Sequence, residues 1–271
     1  ADVYVADKKG NTPLHVASSR NLDNAVKKII DRMDRDAIER EDEELKQREL
    51  DRTNNKGQTA LHAAVICKKI VVAKTLLNAG ANPMITDVVG NTALHVAAEF
   101  GGTAEIIIDL IKAARPRGIQ LMRQHQMTSR LWASLIKQLK KDVPSDLVPA
   151  IICGAIDLMN LRNDAGLTAL STAVKFQQYD IAQVLFKNGA DPTIMDNNDL
   201  TLFDTIVTQS LTSASFFSMI ENTDFNHLYN DDSTLLHCAI KTRWEFVVME
   251  LLEKHANPRI QDKYGNTALH L

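Results

Sequence analysis

One hexapeptide recurs along this chain at a fixed interval, and that recurrence constrains the fold more than any other feature. GNTPLH ends at His15, GQTALH at His62, and GNTALH at His95 and again at His270. Weaker copies, GLTALS, DLTLFD and DSTLLH, end at Ser171, Asp204 and His237. The threonines stand at 12, 59, 92, 168, 201, 234 and 267, so four of the six intervals equal 33 residues, while one is 47 and one is 76. Self-similarity at a period of this size is the mark of a stacked repeat array rather than of one closed core.

A second landmark keeps the same period. Gly80 in NAGANP and Gly189 in NGADP each follow an apolar run. Asn222 lies one period beyond Gly189 and His255, in KHANP, two periods beyond. A helix that stops there needs a left-handed residue, which Gly supplies cheaply and Asn less so. His255 is expected to bear a local strain. Each unit therefore reads as a turn of the form D-x-x-G, a Thr that caps a short helix, a second turn, and a second helix such as KKIVVAKTLLNAG. In that second helix Ile70, Val71, Ala73, Leu76 and Leu77 recur at helical spacing. Such a pair cannot bury its own apolar face, so the units must stack. Aromatic residues make up only 5% of the chain, which also points away from a large sheet and toward helix.

T-P/A-L-H-x-A at a period of 33 resembles the ankyrin repeat. The resemblance implies an all-α solenoid of about seven helix-turn-helix units with finger-like turns. It covers 1–271 as one domain, with units starting near 7, 54, 87, 163, 196, 229 and 262 and the last one truncated. The two irregular intervals add an extended first unit at 31–51 and a long helical insert after the third unit, about 114–159.

Both irregular segments are charged. Residues 31–51 hold ten acids and five bases, a net of −5, and read as an outer helix that is either lengthened or broken and resumed. Residues 112–141 carry eight Lys or Arg and no acid, within a chain whose formal net charge is −3. Within them SRLWASLIKQLKK reads as an amphipathic helix, and the following VPAIICGAIDLMN as buried. The overall balance excludes a strongly basic, nucleic-acid-binding whole.

No catalytic role is expected. The chain has no phosphate loop of the GxxxxGK[ST] type, no HExxH, no GxSxG and no GxGxxG. Five of the eight histidines (15, 62, 95, 237 and 270) belong to the repeat motif, where they are expected to bond neighbouring loops rather than a metal. No metal or cofactor is expected. Cys67, Cys153 and Cys238 lack zinc spacing and suit a reducing compartment. No apolar run approaches the ~18 residues of a membrane span, and ADVYVADKKG lacks the apolar stretch of a secretory signal.

Ankyrin proteins bind partners through finger tips and the inner-helix face. Mapped by position, the resemblance implies partner-binding roles for Lys8, Lys9 and Arg20 in unit one and Asn55 and Lys56 in unit two. Val88, Val89 and Phe100 follow in unit three, and Leu167 and Phe176 in unit four. Asn197, Asn198 and Asp231 complete the set in units five and six. The apolar members would form an exposed stripe, unless the insert folds over it. The acidic residues Glu41, Asp42, Glu43 and Glu44 would suit a basic partner segment.

The layout, with an extended first unit and an enlarged connection between the third and fourth, most resembles the inhibitor-of-NF-κB (IκB) family. That resemblance implies a regulator, monomeric by itself, that binds a Rel-homology transcription-factor dimer in the cytoplasm or the nucleus. Its first repeats would hold the partner's basic nuclear-localisation segment. Nucleic acid would be met only through that partner. The alternative is a general ankyrin scaffold belonging to a larger signalling protein.

Overall fold

The computed structural model describes residues 2–42, 44–124, 156–202, 225–229 and 232–271; for 115–124 and 156–157 it describes the helical backbone alone. The described residues are helical, and β structure among them is limited to two isolated antiparallel bridges, Thr86 with Thr92 and Gln261 with Thr267. Unit one holds α1 (Pro13–Ser19), α2 (Asp23–Glu39) and α3 (Leu45–Leu50). Unit two holds α4 (Ala60–Ile66) and α5 (Ile70–Asn78), and unit three α6 (Ala93–Phe100) and α7 (Ala104–Gln124). After α8 (Ile156–Asn160) come α9 (Ala169–Lys175) and α10 (Tyr179–Lys187) of unit four, then α11 (Leu235–Lys241) and α12 (Glu245–Glu253) of unit six. A 3-10 turn, Ala268–His270, closes the described chain.

The motif explains why these residues stack. Two positions past five of the seven threonines stands a leucine with at most 1% exposure: Leu14, Leu61, Leu94, Leu170 and Leu236. Burying one such side chain contributes about 2 kcal/mol. Five positions past the threonine an alanine (Ala17, Ala64, Ala97, Ala173, Ala239) is buried, and its small side chain lets the next inner helix approach. The outer helices bury i,i+4 pairs such as Val72 with Leu76, Ile181 with Leu185 and Val247 with Leu251.

The histidines tie one unit to the next. The Thr92 N–H donates to His95 Nδ1 at 3.3 Å, so the ring proton lies on Nε2, which donates to the Leu167 carbonyl at 3.0 Å. His15 reaches the Gln58 carbonyl (2.9 Å), His62 that of Asn91 (3.1 Å) and His237 that of Asn266 (3.2 Å) in the same way. This is the loop-bonding role read from the repeat. Burial holds His15, His62 and His95 below the usual imidazole range.

The His95 bond also shows what the insert does. Residues 95 and 167 are 72 apart in sequence, yet they make the contact that His62 makes with a residue 29 away. Unit three therefore stacks directly on unit four. The outer helix α7 runs on unbroken to Gln124, and α8 returns the chain with Leu158 and Met159 buried. The predicted helix SRLWASLIKQLKK lies outside the described residues.

Of the two readings for 31–51, the structure takes the broken one. The 17-residue α2 stops at Glu39, Glu41 adopts a left-handed φ of 51°, and α3 resumes at Leu45. The N-terminal segment straps this region. The Tyr4 hydroxyl donates to the buried Asp36 carboxylate at 2.6 Å, and Arg32 pairs with the same group at 2.7 Å. Burial first, and then the Asp36 bond, push the Tyr4 phenol up to about 12, while the same bond and the flanking arginines hold Asp36 low.

Candidate partner-binding surface

The fingers form a continuous ladder. The Asn55 N–H donates to the Lys9 carbonyl (3.0 Å), Val88 to Lys56 (3.0 Å), Asp164 to Val89 (3.1 Å) and Asn197 to Ala165 (3.3 Å). An Asp or Asn opens each of these turns. Asp87 Oδ1, for example, accepts the N–H of Val89 at 3.0 Å and of Asn91 at 2.9 Å. Glycine closes the turn where the neighbour comes nearest. Gly90 has a φ of +77°, and a Cβ there would lie 2.7 Å from the Asp164 nitrogen. Asp199 and Asp232 take the same left-handed position in their fingers at φ 59° and 56°.

This ladder sorts the residues named from the sequence. Lys8, Lys9 and Lys56 project from their fingers with exposed side chains, and Arg20 is exposed where α1 ends. Val88 (66% exposed), Val89 (50%), Phe100 (44%) and Phe176 (43%) are open to solvent. Leu167 is not open; at 7% exposure it is packed under the stack, with its carbonyl taken by His95 and its N–H by Asn163. The residue before the capping threonine is a platform for the neighbouring unit, so Leu167 drops out of the exposed stripe. Ile66, beside the stripe, is likewise half-buried against the core.

Two of the tip asparagines are spent on the ladder. Asn55 Nδ2 donates to the Lys8 carbonyl, and Asn197 Nδ2 to that of Asp164, while Asn197 Oδ1 accepts from Arg162. Asn198 is exposed and turned toward Asp196. In the acidic stretch Asp42 pairs with Arg48 at 3.0 Å, and Glu41 and Glu44 are exposed. Glu43 and Asp231 lie outside the described residues. Among the described residues no cluster of His, Cys, Asp or Glu is placed to hold a metal ion, and no helix is long and apolar enough to cross a membrane.

The sequence reading missed Lys68 and Lys69. They sit in the turn between α4 and α5, where Lys68 is exposed and takes a left-handed φ of 55°. Asn21, Gly101, Gln177 and Arg243 hold the same turn position with positive φ.

Family models agree with this geometry. A model of three ankyrin-repeat copies matches residues 1–87 and 37–124, and a single-repeat model matches 165–197 and 231–263. The chain belongs to the ankyrin-repeat family. Among curated relatives, the mouse B-cell lymphoma 3 protein homolog is 27% identical over 274 residues, which is 99% of this ankyrin chain and 50% of the relative. The human B-cell lymphoma 3 protein is 31% identical over 191 residues, 70% of this chain and 31% of the relative. The ankyrin stack thus spans half or less of those proteins' own lengths. Human neurogenic locus notch homolog protein 1 is 34% identical over 152 residues, 55% of this chain and 6% of that protein. The crystal structure of the ankyrin repeat domain of Bcl-3, described as a unique member of the IκB family, superposes with a TM-score of 0.58. It has 26% identity and covers 97% of this chain and 94% of that one.

Proposed function

We propose that this chain is an IκB-like regulator that holds a Rel-homology transcription-factor dimer and controls its nuclear entry or its activity on DNA. The observation that carries the reading is a pair of departures from a plain array. The first outer helix breaks between α2 and α3, and the stack runs directly from unit three to unit four past a long insert. The likeness to the Bcl-3 ankyrin domain, which covers 97% of the chain, supports the reading.

The surface suits such a partner. Glu41 and Glu44, exposed in the turn between α2 and α3, would receive the Rel partner's basic localisation segment, adding mainly to association rate. Val88, Val89, Phe100 and Phe176 supply apolar anchors of the kind that carry most of an interface's energy. The role is binding, without catalysis, in the cytoplasm or the nucleus.

The test is a titration of the purified chain against a Rel-homology dimer, with and without the dimer's DNA site. Sub-micromolar binding supports the proposal. Displacement of DNA would make the chain an inhibitor, and a ternary complex would make it a nuclear co-regulator. Failure to bind any Rel dimer would refute the proposal and leave a general ankyrin scaffold, a reading favoured by the 34% identity to a notch homolog over 152 residues.

A further inference from the structure

The turns between inner and outer helices carry a surface distinct from the fingers and from the acidic stretch. In units one to four these turns read Ser19 to Leu22, Ile66 to Lys69, Glu99 to Gly102 and Lys175 to Gln178. They hold four bases, Arg20, Lys68, Lys69 and Lys175, against one acid, Glu99. Arg20, Lys68 and Lys69 form no ion pair among the described residues, while most of the cations in α2 and α3 do. Unpaired cations gathered on one edge of a chain whose net charge is −3 set up a local positive field.

Three turns converge at Gly101. A Cβ there would stand 2.7 Å from Gln178 Oε1 and 3.4 Å from Lys68 Nζ. A lysine of unit two and a glutamine of unit four therefore both approach the turn of unit three. Phe100 and Phe176 occupy the same repeat position in units three and four, at 44% and 43% exposure. A shallow crease between units two and three is lined by Val65, Ile70, Ala73 and Ile106 together with Lys68 and Lys69.

We propose that this row of turns is a docking site for an acidic peptide segment bearing apolar side chains. The lysines would meet its carboxylates, and the exposed Phe100 and Phe176 would take its apolar residues. Charge selects an acidic occupant, and the rest of the surface selects a peptide over a nucleic acid. Glu99 stands in the middle of the row, and a strand with a charge on every phosphate would have to pass it. A peptide can place a neutral residue there. Stacked units lie ~10 Å apart, and an extended chain rises about 3.3 Å per residue. The expected segment thus carries apolar residues roughly three positions apart with acids beside them. The site is separate from the acidic turn between α2 and α3; it shares Phe100 and Phe176 with the surface proposed for a Rel partner, so the two occupants would compete, while Lys68 and Lys69 belong to this site alone.

The probe is a fluorescein-labelled peptide with Leu or Phe at every third position and Glu between them, followed by anisotropy against the whole chain. Binding should weaken roughly tenfold for the pair Lys68→Glu and Lys69→Glu. A comparable loss is expected for Phe100→Ser with Phe176→Ser. The pair Lys68→Arg and Lys69→Arg should bind as the parent does. Lys68, Phe100 and Phe176 are exposed and Lys69 is half-buried, and unchanged far-UV circular dichroism confirms that each variant folds. A peptide with Gln for every Glu should not bind. The proposal is overturned if the acidic peptide fails to bind, or if the Lys and Phe pairs leave its binding unchanged. Tighter, competing binding of an oligothymidylate would overturn it too, because the row would then be a nucleic-acid surface.

Discussion

Replacing His95 by Ala removes one side chain that serves two units. Its Nδ1 accepts from the Thr92 N–H at 3.3 Å, its Nε2 donates to the Leu167 carbonyl at 3.0 Å, and the residue is fully buried. The substitution strands the buried Thr92 N–H, a group worth about 1–3 kcal/mol when unpaired, and takes from the Leu167 carbonyl one of its two donors, the other being the Asn163 N–H at 3.0 Å. It also leaves a cavity where the ring packed, and large-to-small core changes of this kind cost about 2–5 kcal/mol. These terms overlap, and together they set an expected loss of ~4 kcal/mol, a large part of a domain's usual 5–15. His270 is the internal control. It makes the same bonds to Thr267, at 3.2 Å and 2.8 Å, but is exposed, and no described carbonyl of a following unit receives its Nε2. His270→Ala should cost under ~1 kcal/mol. Urea unfolding followed by circular dichroism measures both. Losses equal within ~0.5 kcal/mol would refute the view that the tie across to Leu167 carries the stability.

Other perturbations test neighbouring features. Gly90→Ala puts a Cβ 2.7 Å from the Asp164 backbone at a left-handed φ; a loss of ~2 kcal/mol or more in urea unfolding is expected, and a loss near zero would show that the fingers can separate freely. His15, His62 and His95 are held low by burial, so the unfolded chain binds more protons in acid. Stability should be full above the unfolded imidazole value near ~6.5 and decline as pH falls below it, by up to ~1.4 kcal/mol per pH unit for each histidine. Thermal melts across that range check the sign, and a flat profile would contradict it. Tyr4→Phe removes one bond to the buried Asp36 but leaves the Arg32 pair; it should cost about 1–2 kcal/mol and raise hydrogen exchange in α2.

The stacking was legible in the sequence because its determinants are local. A capping Thr, a Leu two residues on, an Ala five residues on and a His that spans the gap each act within one turn, and each recurs at one period. The path of the unit one outer helix was not legible. The break near Glu41 occurs with no Gly or Pro to announce it, while the strap from Tyr4 to Asp36 joins residues 32 apart. The candidate surface was legible in part. Val88, Val89, Phe100 and Phe176 are exposed as their positions imply. Leu167 is an equally apolar residue near a finger tip, yet it is buried, because exposure there depends on the unit stacked beside it. Asn55 and Asn197 look like free polar tips until the adjacent finger is in place to accept their amides. Lys68 and Lys69 escaped a rule based on the inner-helix face, since they lie past the end of α4, in the turn before α5.

The direct seating of unit three on unit four has a further consequence, in the order of events during folding. Most junctions in such a stack form between residues close in sequence, as His62 and Asn91 are at 29 apart. The junction from His95 to Leu167 must bring together residues 72 apart. Loop closure over the longer span costs about 0.8 kcal/mol more, which slows that encounter roughly fourfold. The three units before the insert and those after it can each grow by short-range steps, and their union waits on the slower search. As the ribosome delivers the amino-terminal half first, that half is poised to stand folded, with the face of α6 uncovered, until the chain beyond the insert arrives to close it.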